Sequence, residues 1–272
     1  MSLIQIILSN AAIISAVLFF LWLISLRIKD TSIVDIFWGL GFVTIAWVTY
    51  LVVKPDSTRY LLMAAIVTIW GLRLAGYLAW RNIGKPEDYR YQAMREKHGD
   101  RFPMISLFFV FGLQGLIMQV VSLPIQATAT ATAPLNWLDA LAALIWLVGL
   151  FFETVGDIQL ARFKVNPDNQ GKVMDRGLWR YTRHPNYFGD FLVWWGIYLV
   201  ALGGGNAWWT IISPLLMSVL LMRVSGVTLL ESSLRSNKPG YEDYVQRTSA
   251  FFPMPPQNRI DAQGESANAS DA

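Results

Sequence analysis

Seven apolar runs of about 20 residues divide this chain of 272 residues, and they constrain its fold more than any other feature. A helix of roughly 20 apolar residues crosses a hydrocarbon core of ~30 Å. Soluble domains carry roughly a quarter charged residues, whereas this chain has 15% charged and 54% hydrophobic residues. We therefore predict an all-α polytopic membrane protein. The predicted spans are residues 3–26, 33–53, 60–80, 105–124, 136–160, 187–203 and 207–226, of which the last two are short enough to be a hairpin or a bent pair.

Basic residues are distributed unevenly between the connecting loops. They gather after spans one, three and five and in the C-terminal tail, while the loops on the other side hold only Lys54 and Arg59. Because cytoplasmic loops are enriched in Lys and Arg, we predict an outside N-terminus and a cytoplasmic C-terminus. The first 26 residues contain no Lys or Arg, which argues against a signal peptide. We expect a bacterial inner membrane protein, or an endoplasmic reticulum protein if the source is eukaryotic.

Composition also excludes several kinds of site. The chain has no cysteine and only two histidines, so we expect neither disulfides nor a bound metal. A net charge of +3 is too small to indicate a nucleic-acid partner. We predict one membrane domain over residues 1–256 and a disordered polar tail over 257–272. The Ala/Thr tract Gln126–Ala133 is predicted to be an extracytoplasmic loop.

Residues 177–190 concentrate polar and aromatic side chains at the start of the sixth predicted span. Proline suits the first turn of a helix and disfavours helical geometry in the residue before it, so this helix is predicted to begin near Pro185. A helix N-terminus attracts anions. The polar side chains around it are Arg180, Arg183, His184, Asn186 and Asp190. We interpret the segment as an anion site; the alternative is interfacial anchoring by Trp179, Tyr181 and Tyr187 with extended arginines.

Other charged side chains lie inside predicted spans, where they should face the interior of the helix bundle. Glu153 and Asp157 are one turn apart in span five, with Arg162 and Lys164 following them. The remaining polar positions are Asp35 near Trp38 in span two, Arg73 with Tyr77 in span three, and Arg223 in span seven. Each set could form a buried salt bridge or bind a ligand.

One motif of the chain comprises Gly177-Leu178-Trp179-Arg180, Arg183-His184-Pro185-Asn186-Tyr187 and Gly189-Asp190, and it follows Glu153, Asp157, Lys164 and Lys172. This motif resembles the C-terminal domain of the steroid 5α-reductase family. Asp35-Ile36-Phe37-Trp38-Gly39 and Glu87-Asp88-Tyr89-Arg90-Tyr91 are also similar to bacterial members. The resemblance covers most of residues 30–255. The Arg-His-Pro-Asn-Tyr core is shared with sterol C14 reductases and with isoprenylcysteine carboxyl methyltransferases.

The resemblance implies a seven-helix reductase that binds NADPH in its C-terminal half, residues 150–256. The chain has no G-x-G-x-x-G fingerprint, so the cofactor would not be held by a Rossmann domain. The implied cofactor-binding residues are Glu153, Asp157, Arg162, Lys164, Lys172, Arg180, Arg183, His184, Asn186, Tyr187, Asp190, Arg223 and Tyr244.

The implied reaction reduces a carbon–carbon double bond conjugated to a ketone, while a donor polarises the carbonyl oxygen. A cavity among spans one to four would hold a flat lipid such as a 3-oxo-4-ene steroid. The family places a carboxylate on the second span and a tyrosine on the third. Asp35 is a suitable carboxylate, whereas the third span has no direct match for the tyrosine. The catalytic candidates are Asp35, Tyr77 and Tyr91, with Trp38, Trp70 and Arg73 as substrate contacts.

Two alternatives stay open. The shared core, with Glu231, Leu234, Tyr241 and Tyr244 near the C-terminus, also suits an S-adenosylmethionine-dependent isoprenylcysteine or phospholipid methyltransferase. A lipid-binding or scaffold protein without catalytic activity is the other alternative. In the reductase interpretation the partners are a hydrophobic enone and membrane lipid, and the protein is a monomer.

Overall fold

The computed structural model describes residues 1–224 and 238–257, and within those ranges it contains helices and no strand. Glu231, Leu234 and nearly all of the predicted disordered tail lie outside the described residues. The α-helices are α1 (Leu3–Ile28), α2 (Ile33–Val53), α3 (Thr58–Asn82), α4 (Tyr89–His98), α5 (Phe102–Ser106), α6 (Leu113–Val121), α7 (Leu123–Thr128), α8 (Trp137–Val165), α9 (Pro185–Gly203), α10 (Ile212–Val219) and α11 (Tyr241–Arg247). Short 3-10 turns cover Gly99–Arg101, Pro167–Asn169, Gly177–Arg180 and Trp208–Ile211, and π-helical turns cover Leu107–Gly112 and Leu220–Val224.

Five helical regions of the described chain are long and apolar enough to cross a membrane: Leu3–Ile28, Ile33–Val53, Thr58–Asn82, Tyr89–Val121 and Trp137–Val165. They coincide with the first five predicted spans. The sixth and seventh predicted spans are also helical, since α9 has 19 residues and Trp208–Arg223 is a shorter apolar helix. The prediction of an all-α polytopic membrane protein is confirmed. The outside N-terminus and the cytoplasmic C-terminus stay predictions.

Two segments that we predicted to be loops are helical at least in part. Asp88 accepts a hydrogen bond from the Arg90 N–H at 3.0 Å and caps α4, so Tyr91 lies on a helix. Helix α7 continues to Thr128, so the first three residues of the Ala/Thr tract are helical and buried. There the Gln126 Nε2 donates to Ser122 Oγ at 2.8 Å. Local hydrogen bonds of this kind satisfy polar side chains that water does not reach.

The described chain divides into two compact units, and the first comprises Met1–Leu147 and Val193–Met217. In this unit α2 and α3 approach closely because two glycines face each other: a Cβ on Gly39 would lie 2.4 Å from Gly71 O. Beside this crossing, the buried rings of Phe42, Trp70 and Trp194 contact one another, with centroid separations of 4.6 to 5.8 Å.

A buried ion pair joins two helices of the same unit. Arg59, in the first turn of α3, is 1% exposed and contacts Asp139 of α8 at 2.7 and 2.9 Å. Its guanidinium also donates to the carbonyl oxygens of Ala133 and Pro134 at 2.6 and 2.7 Å. All five N–H donors of an arginine need partners when the side chain is buried. Arg59 is therefore a structural cation as well as a residue that contributes to charge asymmetry.

The second unit comprises Val148–Leu192 and the described residues from Ser218 onward. Here α8 and α9 are in backbone contact, since a Cβ on Gly189 would lie 2.4 Å from Glu153 N and 2.5 Å from Gly149 O. Only glycine fits at that crossing. On α9 the rings of Phe188 and Phe191 each pack against Phe251 and Phe252 of the C-terminal segment.

Candidate functional site

The segment 177–190 forms a 3-10 turn, Gly177–Arg180, followed by the start of α9 at Pro185, as the proline predicted. Gly177 has a φ of +60°, and a Cβ there would overlap the Gln159 side chain. The same Gln159 accepts a hydrogen bond from Leu178 N at 3.0 Å. The Trp179 indole donates to Gly156 O at 3.1 Å. Helix α8 therefore holds the first half of the motif.

The second half of the motif is held by the C-terminal segment. Arg183 is buried, and its Nη1 donates to Val245 O at 3.1 Å and to Thr248 O at 2.5 Å. These carbonyls lie at the C-terminal end of α11, where helical carbonyls lack partners and a cation is favourable. The Tyr244 hydroxyl donates to Trp179 O. Arg183 thus positions the motif, and its contact with a cofactor stays a prediction.

Burial raises the pKa of Tyr244 above its ordinary value, and the neighbouring Tyr241 adds to this effect. The Tyr244 hydroxyl is therefore protonated at physiological pH and acts as a hydrogen-bond donor. In the same unit the rings of His184 and Tyr187 stack with their centroids 5.5 Å apart. His184 is buried, so this ring pair is part of the packed interior beside α9.

Helix α8 also contacts the second half of the motif directly. Asn186 Nδ2 donates to Asp157 Oδ1 at 3.1 Å. Gly156 allows this approach, because a Cβ there would already lie 3.2 Å from Asn186 N. Glu153 and Asp157 are both buried, and Asp190 follows Asn186 by one turn of α9. Four of the predicted cofactor-binding side chains are thus placed on two helices in contact.

The remaining predicted cofactor-binding residues are exposed cations. Arg162 and Lys164 lie near the end of α8, Lys172 lies in the following loop, and Arg180 closes the 3-10 turn. The Lys172 carbonyl accepts a hydrogen bond from Lys238 Nζ at 2.7 Å. Arg223 lies in the Leu220–Val224 π-helical turn. Their exposure leaves these charges accessible to a phosphate.

The first unit contains a polar cluster of its own, centred on Asp35 in the first turn of α2. Tyr91 Oη donates to Asp35 Oδ1 at 2.7 Å, and Arg90 Nη2 donates to Oδ2 at 2.9 Å. Gln114 Nε2 of α6 approaches Oδ1 at 3.4 Å. The structure therefore brings together two of the three predicted catalytic residues, which are 56 positions apart in the sequence.

Two acidic residues that precede α4 hold this arrangement in place. The Glu87 carboxylate accepts from Arg95 at 2.8 Å and from Thr31 N at 2.7 Å, and Asp88 N donates to Ser32 Oγ at 2.8 Å. Partial burial opposes ionisation of Glu87, but the bonds from Arg95 and Thr31 outweigh it and lower its pKa. The pKa of Asp88 is likewise lowered, because its bonds to Arg90 outweigh partial burial. Both remain carboxylates at neutral pH.

The third catalytic candidate and the predicted substrate contacts lie elsewhere in the first unit. Tyr77 lies between two cations of α3, with the Arg73 and Arg81 guanidinium carbons 5.6 and 5.8 Å from its ring centroid. Trp38 contacts Phe42, and Trp70 is fully buried in the aromatic cluster. Asp35 is hydrogen-bonded to none of these four predicted residues. Their roles stay predictions.

An apolar groove of about 440 Å³ lies in the first unit, between α1 and the region that runs from the π-helical turn to α6. Ile14, Leu18, Phe111 and Gly112 are among its lining residues. Gln119 is its one amide; its Nε2 donates to Ile7 O at 3.0 Å, and its buried Oε1 has no hydrogen-bond partner in the described residues. Neither Gln114 nor Gln119 is among the residues predicted from the sequence, although two glutamines in an apolar span are a visible signal.

Within the described ranges, no three His, Cys, Asp or Glu side chains gather as a metal site would require. The fold and these two clusters define a polytopic membrane protein with buried polar groups on several of its helices. The chain belongs to the family described as "Protein of unknown function (DUF1295)", whose model matches residues 21–248.

Three relatives show how far the likeness extends. The chain is 27% identical over 281 residues to "Uncharacterized protein C594.04c" of Schizosaccharomyces pombe. This alignment covers 86% of this chain and 75% of that protein. It is 26% identical over 141 residues to "Nickel-cobalt-cadmium resistance protein NccN" of Alcaligenes xylosoxydans xylosoxydans, covering 51% of this chain and 63% of that protein.

The third relative matches a shorter stretch of the chain. A stretch of 61 residues is 43% identical to "Probable O-methyltransferase ustE" of Ustilaginoidea virens, covering 22% of this chain and 21% of that protein. No solved structure matches the chain significantly.

Proposed function

We propose that this protein is a membrane-embedded, NADPH-dependent reductase of a conjugated carbon–carbon double bond in a lipid enone, such as a 3-oxo-4-ene steroid. The observation that supports it most is the hydrogen bond between Tyr91 and Asp35. A phenol held by a carboxylate is a suitable donor to a carbonyl oxygen that becomes negative during reduction. A methyl transfer needs no such donor.

The donor set of the second unit is compatible with a dinucleotide. The exposed cations Arg162, Lys164, Lys172 and Arg180 could bind phosphates. Asn186 and Asp157, already bonded to each other, offer amide and carboxylate groups for ribose hydroxyls or a carboxamide. NADPH, when bound, would supply the hydride that adds to the β carbon of the enone.

The residues of the first unit would stabilise the negative charge that develops on the carbonyl oxygen and leave water access for the proton that the reduction consumes. Rotation of the Tyr91 hydroxyl would redirect its hydrogen from Asp35 to a carbonyl oxygen bound beside it. Arg90 would hold the carboxylate in place at 2.9 Å during this change. Reduction also consumes one proton at the α carbon. Water could supply it, since the Arg90 and Asp35 side chains are 42% and 18% exposed.

The groove between α1 and α6 suits the lipid part of the substrate. Its lining is mainly apolar, with Ser15 and Gln119 as polar lining residues. Burying a lipid contributes about 0.8 kcal/mol per CH₂. The combination of an apolar groove and a few polar side chains is typical of ligand sites.

The second candidate function is an S-adenosylmethionine-dependent methyltransferase. The match to the probable O-methyltransferase favours it, although that match covers 22% of this chain. The Arg183-His184-Pro185-Asn186-Tyr187 core suits both classes. The choice therefore depends on which cofactor the folded protein binds.

Thermal unfolding of the purified protein in detergent distinguishes the two functions. A ligand that binds only the folded state stabilises it, by about 2.7 kcal/mol at 100 times its Kd. We expect NADPH to raise the melting temperature and S-adenosylmethionine to leave it unchanged. Stabilisation by the methyl donor alone would show that the reductase proposal is wrong.

Gly112→Leu tests the groove as the lipid site. A Cβ on Gly112 meets only Leu107 O, at 3.1 Å, so a leucine there would extend into the groove. By displacing part of the lipid it should raise KM for the enone about tenfold with little change in kcat. The matched control is Gly76→Leu, because a Cβ on Gly76 has no neighbour within 4 Å. Equal KM values in both variants would place the lipid elsewhere.

A further inference from the structure

A second cavity, of about 820 Å³, lies in the second unit between the Gly177–Arg180 turn and α11. Three arginines line it: Arg176, Arg180 and Arg247. The carboxylates that face the same space are Asp175 and Asp243. Three cations against two carboxylates leave one net positive charge, so the overall balance favours an anion.

The three arginines differ in their partners. Arg247 Nη2 contacts Asp175 Oδ2 at 2.7 Å, so this pair is internally neutralised. Arg176 and Arg180 are exposed, and neither forms an ion pair or a side-chain hydrogen bond within the described residues. Both guanidinium groups are therefore available to a ligand, at opposite ends of a turn whose backbone is held by α8.

The rest of the cavity is polar and built from segments that are bonded to each other. Gln257 N donates to Arg247 O at 3.0 Å, which brings the C-terminal segment over α11. Gln246 and Gln257 also line the space and supply amide donors and acceptors. The volume exceeds what a phosphate alone would occupy and leaves room for the sugar or glycerol attached to it.

We infer that this cavity binds a phosphomonoester through Arg176 and Arg180. A guanidinium can donate two parallel hydrogen bonds to a phosphate, and such charge-assisted bonds are stronger than neutral ones. Two sources present the same chemistry: the 2′-phosphate of NADPH, in which case the inference rests on the proposed function, or the headgroup of phosphatidic acid. The exposed Phe252 and Met254, close in sequence to Gln257, would suit an acyl chain in the second case.

The test compares the full-length wild type with the double variant Arg176→Gln/Arg180→Gln in detergent. The probes are NADP⁺, NAD⁺ and short-chain phosphatidic acid, and the measurement is the Kd of each. We expect the Kd of NADP⁺ or of phosphatidic acid to rise about tenfold or more, as the loss of charge-assisted bonds implies. Arg101→Gln, which removes an exposed arginine of the first unit, should change neither Kd.

Each outcome has a definite meaning. A rise for NADP⁺ without one for NAD⁺ identifies the 2′-phosphate as the ligand, and a rise for phosphatidic acid identifies the lipid headgroup. Unchanged affinity for both phosphate probes overturns the inference. A variant that keeps its NADP⁺ affinity while the wild type reduces an enone would leave the proposed function intact. If the protein binds phosphatidic acid through these arginines but never oxidises NADPH, the inference stands and the proposed function is wrong.

Discussion

Arg59→Met should destabilise the protein by about 3–5 kcal/mol, since removing one partner of a buried ion pair leaves an uncompensated charge. Arg59 is 1% exposed, and Asp139 would lose the guanidinium while keeping its hydrogen bond from Asn136 N at 2.8 Å. The carbonyls of Ala133 and Pro134 would lose their donors as well. The free energy of unfolding in mixed detergent micelles measures the effect.

A double-mutant cycle measures the coupling between Arg59 and Asp139 and distinguishes it from a general loss of stability. Arg59→Met combined with Asp139→Leu removes both charges, and a buried pair replaced by apolar groups is often close to neutral. We therefore expect the double variant to recover most of the loss. Arg101→Met is the control, because exposed cations contribute little to stability. A double variant no more stable than Arg59→Met would show that the pair is not coupled.

The length and apolar composition of the runs were sufficient to predict the spans. The second predicted span, 33–53, coincides with α2, and Pro185 correctly predicted the start of α9. Both follow from local physics: an apolar run of fixed length in one case, and a missing N–H with a fixed φ in the other. Tyr91 lies between the third and fourth predicted spans, where we predict a loop, but the Asp88 cap begins helix α4 there.

Partners of polar residues could not be predicted in the same way. The charge pattern predicts the side of the membrane on which Arg59 lies, but it does not identify Asp139, 80 positions away, as its partner. Arg183 is a residue type that often binds anions, yet its guanidinium contacts carbonyls of residues more than 60 positions later. Such contacts depend on which helices pack together, and helix packing partners cannot be read from the residue pattern of a single sequence.

Tyr91→Phe should lower kcat for enone reduction by about 10²–10³-fold, the usual cost of removing one hydrogen-bond donor to a developing oxyanion. The substitution removes one hydroxyl from a side chain that is 7% exposed and keeps the ring packing. We expect NADPH affinity to be unchanged, because Tyr91 donates to Asp35 in the first unit, whereas the predicted cofactor-binding residues belong to the second unit. Steady-state NADPH oxidation with an enone substrate, together with equilibrium NADPH binding, measures both quantities.

Tyr89→Phe is the matched control for this prediction. Tyr89 begins the same helix, is 65% exposed, and has no hydrogen bond to Asp35. Its hydroxyl should therefore be dispensable. Asp35→Asn should resemble Tyr91→Phe, because the amide keeps the size of the side chain but lacks the negative charge that orients the phenol and pairs with Arg90. If Tyr91→Phe and Tyr89→Phe turn over equally fast, the Asp35–Tyr91 pair is structural, and the donor to the carbonyl is another group.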